Sequence, residues 1–223
     1  MNAGESQRTP WIVGISGASG TPYAAAVLRA LLDAGESVDL VVSRASRLTL
    51  LDETGIAFRD AHWQDDLREW LSMGADGKPG TFDVELAGVR YWSAGDLAAG
   101  PSSGSYPVKG MLIVPASTAC VAGVALGLSK DLLQRAASVT LKEGRPLVVA
   151  VRETPLNGQT LRHLVTLDDA GAAVVPASPA FYAGATHIQH LVDFVAGRVL
   201  DAAGVPHRLY RRWEGELGGA RPA

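Results

Sequence analysis

The sequence predicts an α/β fold in which helices flank a Rossmann-like, doubly wound parallel sheet within a single domain. Short apolar, β-branched runs alternate along the chain with segments whose apolar residues recur at helical spacing. The first run ends in a glycine-rich turn that opens a helix, as the first strand of such a sheet does. The chain has 223 residues, 47% of them hydrophobic, which is enough for one core.

The first half of the chain begins with a regular alternation of strands and helices. Val27, Leu28 and Leu31 lie at helical spacing after the first strand, and Gly35 is placed to end that helix. The predicted elements of this half are strands at 11–15, 37–43 and 89–92, and helices around 24–32, 45–53 and 63–71. Residues 55–100 are less regular than the rest, with a Gly/Pro turn at 77–80.

The second half repeats the alternation more clearly. Its predicted strands are 111–114, 146–151 and 172–176, and its predicted helices are 132–143, 159–168 and a last helix with Ile188, Leu191, Val192, Val195 and Val199 on one face. Residues 110–128 carry no charge over the length that a bilayer span requires. Because Pro115, Ser117 and Thr118 interrupt this run, a buried strand, a turn and a packed helix explain it better.

Composition excludes several classes of function. The net charge of −3 offers no electrostatic footprint for nucleic acid or an anionic membrane. A single cysteine, Cys120, excludes an internal disulfide and a cysteine-based metal cluster. Residues 1–10 are polar and lack the apolar core of a signal peptide, so we expect a cytoplasmic protein. We predict a flexible N-terminus at 1–10, the domain at 11–213 and a flexible tail at 214–223.

The turn at residues 14–20, Gly-Ile-Ser-Gly-Ala-Ser-Gly, predicts a phosphate site. A strand that feeds a helix through such a turn leaves backbone N–H groups at the positive end of the helix dipole. Its glycines match neither the dinucleotide fingerprint nor a Walker A loop. The second strand ends at Ser43 and Arg44 rather than at an acidic residue, which disfavours NAD. Such a turn can also connect a strand to a helix without binding any ligand.

Hydroxyl groups gather at the expected ligand edge of the sheet. Ser19, Ser43 and Ser117 follow three predicted strands, whose carboxyl ends face one crevice in this fold. Neutral hydroxyls and backbone N–H groups there suit FMN. Arg152 directly follows the fifth strand, where it can pair with a phosphate or with a nearby carboxylate.

Two other kinds of catalytic site find little support in the sequence. The histidines are scattered without acidic or cysteine partners at ligand spacing, so we expect no metal site. They are His62, His163, His187, His190 and His207. The segment around Ser16 misses the nucleophile elbow that a Ser/His/Asp hydrolase of this fold needs.

Seven segments, in order and at matching spacing, resemble the UbiX family of flavin prenyltransferases over about residues 11–214. They are Gly14-Ile15-Ser16-Gly17-Ala18-Ser19-Gly20, Ser102-Ser103-Gly104-Ser105, Pro115-Ala116-Ser117-Thr118, Arg135-Ala136-Ala137, Leu141-Lys142-Glu143 with Arg145-Pro146, Val151-Arg152-Glu153-Thr154-Pro155, and Pro179-Ala180-Phe181-Tyr182. The resemblance implies metal-independent transfer of a dimethylallyl group from dimethylallyl monophosphate to N5 and then C6 of reduced FMN. The product, prenylated FMN, would serve a UbiD-type decarboxylase.

The resemblance also implies roles for individual residues. The implied FMN contacts are Gly17, Ala18, Ser19, Ser43, Ser117, Thr118, Ala119, Cys120 and Arg152. The implied prenyl-phosphate pocket comprises Lys142, Glu153, Tyr182 and Arg198, with Ser103 near the prenyl group, Arg135 as a further substrate-binding residue and Trp213 as an aromatic lid. Glu53 matches the acid/base carboxylate, and Ser19, Lys142 and Glu153 complete the implied catalytic set.

The resemblance further implies a large homo-oligomer, typically a dodecamer, with active sites at subunit interfaces. Ala116 and Gly144 depart from the family pattern, and neither position carries an assigned role. Two other functions stay open from the residues: an FMN-dependent decarboxylase of the cysteine-decarboxylating type, and a non-catalytic subunit that carries flavin for a decarboxylase. The first needs a catalytic histidine near the motifs, and the second needs no second phosphate site.

Overall fold

The computed structural model describes residues 8–213 and 215, and the remaining residues of both predicted flexible termini lie outside the described residues. The strands are β1 (Trp11–Ile15), β2 (Val38–Val42), β3 (Val89–Ser93), β4 (Gly110–Ala116), β5 (Leu147–Val151) and β6 (Ala173–Pro176). The helices are α1 (Thr21–Asp33), α2 (Arg44–Thr54), α3 (Trp63–Ser72), α4 (Thr118–Ala125), α5 (Leu132–Lys142), α6 (Gly158–Asp169) and α7 (Ile188–Ala202).

The six strands form one parallel sheet in the order β3-β2-β1-β4-β5-β6. This is the doubly wound order that the alternating pattern predicts, so the predicted fold class is confirmed. The strands β1, β2, β4 and β5 are buried along their whole length. Continuous apolar runs, rather than alternating ones, are what a sheet covered on both faces requires.

Helices cover the two faces of the sheet in two separate groups. On one face α1 and α7 pack against Val13, Leu40 and Leu112, and Trp70 of α3 joins that cluster. On the other face α4, α5 and α6 pack against the strand residues of opposite orientation, such as Ile113. The core therefore has two halves, one on each face of the sheet. Because all strands are parallel, their carboxyl ends lie along one side of the sheet, the carboxyl edge, and their amino ends along the other, the amino edge.

Two details of the fold refine the sequence-based prediction. The uncharged run 110–128 forms β4 and α4, as predicted, and none of the described helices is long and apolar enough to cross a membrane. Ile188, predicted on the apolar face of the last helix, is exposed because it is the first residue of α7. At the N-terminus, the guanidinium of Arg8 pairs with Asp39, which is fully buried in β2.

Candidate active site

A crevice opens where the winding of the sheet changes direction, between the carboxyl ends of β1 and β4. Ser16, which is buried, ties the two loops that rim it. Its hydroxyl donates to the carbonyl of Pro115 at 2.9 Å and accepts from the backbone N–H of Ser117 at 2.7 Å. The loops after β1 and β4 are thus held in a fixed relation at the point where this fold binds ligands.

Beside this tie lies a hollow of about 250 Å³. Residues from the β1–α1 loop and from the starts of α2, α4 and α5 line it. They are Ser16, Gly17, Ser43, Arg44, Ala45, Ser117, Ala119, Cys120, Asp131, Leu133 and Gln134. The structure thereby brings together five of the residues that the resemblance assigns to FMN, and we call this hollow the crevice site.

Two helices begin at the crevice site with a serine cap. The hydroxyl oxygen of Ser43 accepts from the N–H of Ser46 at 3.1 Å at the start of α2. Ser117 does the same for the N–H of Cys120 at 3.3 Å at the start of α4. Because the positive ends of both helix dipoles meet in one hollow, the site favours an anionic or electron-rich ligand.

Gly17 is required by the close approach of the β1–α1 loop to α2. A Cβ added at this position would lie 2.5 Å from the Cβ of Ala45, well inside van der Waals contact. The glycine therefore sets the width of the crevice between that loop and the first turn of α2.

A second hollow of about 460 Å³ adjoins the crevice site and shares Arg44 and Asp131 with it. Arg47 and Lys130 also line it, so three cations face one carboxylate there. Asp131 caps α5 by accepting from the N–H of Gln134 at 2.9 Å. Sequence reasoning had noted Arg44 but missed the other three, because they reach the hollow from separate elements.

Glu53, near the end of α2, reaches the first turn of α1. Its carboxylate accepts from the N–H groups of Gly20 and Thr21 at 2.9 and 2.8 Å and from the Thr21 hydroxyl at 2.6 Å. Burial raises the pKa of Glu53, but hydrogen bonds from Ser19, Thr21 and Gly20 outweigh that effect and leave the pKa below its ordinary value. The carboxylate thus occupies the helix terminus that the sequence predicted as a phosphate cradle, and Ser19 contacts Glu53 and does not line the crevice site.

Tyr23 is a residue that sequence reasoning missed. It lies half-buried in the first turn of α1, with its ring against Gly20. Burial raises the pKa of its hydroxyl, the charge of Arg152 lowers it and that of Glu53 raises it, with a net increase. Tyr23 therefore lies within electrostatic reach of both residues, between the ends of β5 and α2. The feature of the sequence that could have identified Tyr23 is its place as an aromatic residue just after the glycine-rich turn.

Several predicted substrate residues lie along α5 or on the loop beside it and do not line the crevice site. The helix α5 starts at the crevice site with Asp131 and Leu133 and runs away from it, so Lys142 lies about 15 Å farther along its axis. The ammonium of Lys142 pairs with Glu143, and Arg135 donates from Nε to the carbonyl of Ser102 at 3.0 Å. This brings the loop that carries Ser103 onto α5, and we call this group the amino-edge cluster.

The amino-edge cluster is closely packed. A Cβ added at Gly104 would lie 2.7 Å from the ammonium nitrogen of Lys142. Arg145 donates to the carbonyls of Tyr106 and Gly104 at 3.1 and 2.8 Å, and so fixes the loop from the other side. Lys142, Arg135 and Ser103 are thus brought together with one another, whereas none of them lines the crevice site of the same chain.

The remaining predicted residues are distributed over two places. Glu153 follows β5 and is exposed, and its carboxylate accepts from the N–H of Thr154 at 3.0 Å. Tyr182 contacts Trp213 edge-on, with 5.9 Å between ring centroids. Arg198 lies on α7 and pairs with Asp201 at 3.0 Å. None of these residues lines the crevice site.

The described residues do not supply the groups that a cysteine-decarboxylating flavoprotein needs. No histidine lines the crevice site. Burial, with the nearby charge of Asp131, raises the pKa of the Cys120 thiol to about 12 despite a hydrogen bond with Ser16, so it stays protonated in α4. Within the described ranges, no group of three or more His, Cys, Asp or Glu side chains could hold a metal ion.

A doubly wound sheet with a hydroxyl-lined crevice between two helix N-termini defines a nucleotide-binding protein of the Rossmann-like class. Comparison with known proteins narrows the class. The Flavoprotein family model matches residues 2–200. A curated flavin prenyltransferase UbiX from Streptomyces coelicolor is 89% identical over 96% of this chain and 99% of its own length. The chain therefore belongs to the flavoprotein family and, within it, to the UbiX flavin prenyltransferases, which confirms the predicted family and enzyme class.

Solved structures agree with this assignment. AnUbiX (PadA1), crystallised with FMN and dimethylallyl pyrophosphate, is 32% identical with a TM-score of 0.79, over 94% of this chain and 99% of that one. A dodecameric FMN-dependent UbiX-like decarboxylase from Escherichia coli O157:H7 is 34% identical with a TM-score of 0.78, over 93% of this chain and all of that one.

Proposed function

We propose that this chain transfers a dimethylallyl group from dimethylallyl monophosphate to N5 and then C6 of reduced FMN, and that a UbiD-type decarboxylase receives the prenylated FMN. The observation that carries the proposal is the crevice site, where two serine-capped helix N-termini converge at the switch point of a flavin prenyltransferase fold. The relative solved with FMN and dimethylallyl pyrophosphate supports both ligand classes.

The crevice site fits FMN. Its hydroxyls and backbone N–H groups are neutral donors that suit the polar edge of a flavin, and the positive residues of the adjoining hollow suit its phosphate. Bound reduced FMN supplies the nucleophilic N5 and C6 atoms. Ser43 and Ser117 would orient the flavin, while the loop held by Gly17 would lie against it.

Ser19 and Glu53 form the proton-handling pair in this proposal. The lowered pKa of Glu53 keeps its carboxylate ionised near neutral pH, so it is free to accept a proton, as a weaker base than an unperturbed carboxylate. The Ser19 hydroxyl donates to this carboxylate and can pass on a proton from a ligand bound above the loop. Glu53, through Ser19, would take the proton that N5 loses on alkylation and return it to the double bond of the transferred group, so that the bond to C6 can form. The inorganic phosphate released from the prenyl donor would then remove the C6 proton.

Breaking the allylic C–O bond leaves a phosphate, which converging cations stabilise. We assign this task to Lys142, Arg152 and Arg198, with the Tyr182 hydroxyl as a further donor. Because Lys142 lies about 15 Å along α5 from the crevice site, we infer that a second copy of the chain supplies it. The dodecameric UbiX-like relative supports an assembly of several copies. We infer that in such an assembly the amino-edge cluster of one copy meets the crevice site of a neighbour.

The prenyl group requires a dry pocket, since water would capture an allylic cation. Aromatic faces stabilise such a cation and exclude water, and Trp213 with Tyr182 offers two of them. Trp213 is 55% exposed in the single chain, as a lid residue would be before its pocket is filled. We also place the reaction in the cytoplasm, because a reducing compartment preserves reduced flavin.

Anaerobic incubation with reduced FMN and dimethylallyl monophosphate tests the proposal, with mass spectrometry of the released flavin. We expect a five-carbon adduct of FMN with the monophosphate and a much smaller yield with the diphosphate. Bound FMN that never acquires the adduct would contradict the proposal. An adduct formed equally well from both donors would correct the assignment of the monophosphate alone.

A further inference from the structure

The end of α7 presents one face to a segment that follows the helix. Gly197 and Arg198 lie three and four residues after Phe194, and Asp201 lies four and three residues after them, which places all four on the same side of the helix. Residues 205–213, which we call the C-terminal segment, fold back over this face. The opposite side of α7, with Val195 and Val199, is buried in the core.

Gly197 makes room for this segment. A Cβ added there would lie 2.5 Å from a ring carbon of Tyr210 and 2.6 Å from one of His207. A helix interior disfavours glycine by about 1 kcal/mol relative to alanine, so its presence points to a packing need. Glycine is required here because the rings of Tyr210 and His207 approach the helix backbone closely.

Asp201 is the centre of the polar contacts between α7 and the C-terminal segment. Its carboxylate accepts from Arg198 at 3.0 Å, His207 at 3.1 Å, Arg212 at 2.8 Å and the Tyr210 hydroxyl. Burial raises the pKa of this carboxyl, but the hydrogen bonds from Arg212, Tyr210 and His207 hold it well below its ordinary range. Asp201 therefore stays ionised and keeps four donors oriented.

The hydrogen bonds of His207 assign its tautomer. Its Nδ1 accepts from the backbone N–H of Leu209 at 3.2 Å, so its Nε2 carries the hydrogen that it donates to Asp201. The imidazole is 2% exposed and is held from both sides. His207 thus fixes the turn at the start of the C-terminal segment.

We call Asp201 and its four hydrogen-bond donors the Asp201 hub. A continuous chain of aromatic contacts runs from this hub to the residues expected at the prenyl site. Tyr210 packs on Phe194 at 4.9 Å between ring centroids, Phe194 on Tyr182 at 5.7 Å, and Tyr182 on Trp213 at 5.9 Å. The position of Trp213 therefore depends on how the C-terminal segment is fixed to α7.

The same hub orients Arg198. Its Nη1 is the atom that contacts both Asp201 at 3.0 Å and the Tyr210 hydroxyl at 3.5 Å. A guanidinium has five N–H donors, so the N–H groups on its other nitrogens can bind a second anion. The side chain is 53% exposed, which gives a phosphate access to them.

We propose that Asp201 is a positioning residue for prenyl-donor binding, because it holds the C-terminal segment on α7 and so sets both Arg198 and the Trp213–Tyr182 pair. The inference rests on the proposed function, since it concerns the phosphate and prenyl ends of that donor. The inference distinguishes the two ligand sites of the chain. FMN binding at the crevice site does not depend on the contacts of Asp201, whereas binding of the prenyl donor does.

The test compares Asp201→Asn, Asp201→Glu and Tyr210→Phe with a matched control, Asp168→Asn, which alters an exposed carboxylate of α6. Full-length enzyme is treated with trypsin, and mass spectrometry follows cleavage at Arg208, Arg211 and Arg212. The dissociation constant of FMN, the KM for dimethylallyl monophosphate and kcat are measured on the same preparations.

We expect Asp201→Asn to raise the cleavage rate about tenfold and the KM by about ten- to a hundredfold, because several charge-assisted hydrogen bonds are lost. The dissociation constant of FMN should change less than about twofold. Tyr210→Phe should give a smaller change in the same direction, and Asp201→Glu should recover part of the KM. Asp168→Asn should behave as the wild type.

Three results would overturn the inference. One is an Asp201→Asn enzyme whose KM equals that of the wild type, whether or not cleavage becomes faster. Another is a parallel loss of FMN binding, kcat and thermal stability, which would make Asp201 a general stabiliser of the fold. The third is a wild-type enzyme that forms no adduct, in which case the proposed function fails as well. Only in that last case do the two fail together.

Discussion

At the scale of single residues, Glu53 combines an observed structural role with the chemical role that we propose for it. Four groups at the start of α1 donate to its carboxylate, which therefore stabilises that helix terminus. The same bonds lower its pKa and keep it ionised. A base prepared in this way needs no further rearrangement when a proton arrives through Ser19.

Replacing Glu53 with Gln separates the two tasks. We expect kcat for prenyl transfer to fall by about 10²–10⁴-fold, because an amide cannot take up the proton. FMN affinity should stay within about threefold, since Glu53 does not line the crevice site. Steady-state kinetics and flavin titration measure both quantities, with the exposed Glu69→Gln as control. Unchanged turnover would remove the acid/base assignment.

The lowered pKa of Glu53 also predicts a pH dependence of stability. A carboxylate with a folded pKa below the unfolded value of about 4.3 stabilises the protein above that pH, by about 1 kcal/mol for a helix cap. This contribution disappears as the pH falls through the folded pKa. Thermal unfolding should therefore show a wild-type advantage over Glu53→Gln at pH 7 that shrinks below about pH 4. An advantage of equal size at pH 3 would refute this reasoning.

The sequence anticipated those site residues that follow strands directly. Ser43 and Ser117 lie at predicted strand ends, and a parallel sheet brings such ends to one edge. Tyr23 and Asp131 could not be placed in this way. Tyr23 lies in the first turn of α1, close enough to Arg152 and Glu53 for their charges to shift its pKa. Asp131 arrives at the crevice site on a connection whose path the local pattern does not specify.

At the scale of elements, the width of the crevice depends on how closely the β1–α1 loop approaches α2. Gly17→Ala would force its Cβ against Ala45 and move one of the two. We expect a cost of about 1–3 kcal/mol in stability and FMN binding weaker by about tenfold, because Ser43 shifts with α2. Gly158→Ala is the matched control, since its added Cβ meets nothing closer than 4.0 Å. Calorimetry of both variants with and without FMN would reveal the difference, and equal affinities would contradict the packing argument.

At the scale of elements, the hydrophobic pattern of the sequence predicts some parts of the secondary structure and not others. The buried strands were predicted within one or two residues, because burial on both faces demands continuous apolar runs. The helices with predicted bounds agree equally well except α1, which begins at Thr21, three residues before the predicted start. Residues 73–88 resisted prediction because distant contacts hold them. Arg29 of α1 donates to the carbonyls of Leu71 and Met73 and lies 3.9 Å from the ring centroid of Phe82.

At the scale of the whole molecule, the two halves of the expected active site lie at opposite edges of one sheet. The crevice site occupies the carboxyl edge, and the amino-edge cluster with Lys142 lies about 15 Å away along α5. A side chain cannot span that distance. We therefore propose that a complete site takes residues from at least two copies of the chain, arranged so that the carboxyl edge of one sheet meets the amino edge of another.

Light scattering provides the first check at this scale. We expect a large homo-oligomer, a dodecamer on the precedent of the dodecameric relative, rather than a monomer. The exposed apolar side chains Leu126 and Leu128, at and just beyond the end of α4, are candidates for burial in its interfaces. A stable, fully active monomer would contradict the shared site.

The most direct measurement is the activity of mixed assemblies. Glu53→Gln and Lys142→Met chains, each inactive alone, are co-expressed with different tags and purified through both. If each site takes Glu53 from one copy and Lys142 from another, random mixing leaves about a quarter of the sites intact, and prenylated FMN should form at about a quarter of the wild-type rate. Mixed assemblies as inactive as their parents would show that both residues act within a single chain, or that one of them has no role in prenyl transfer.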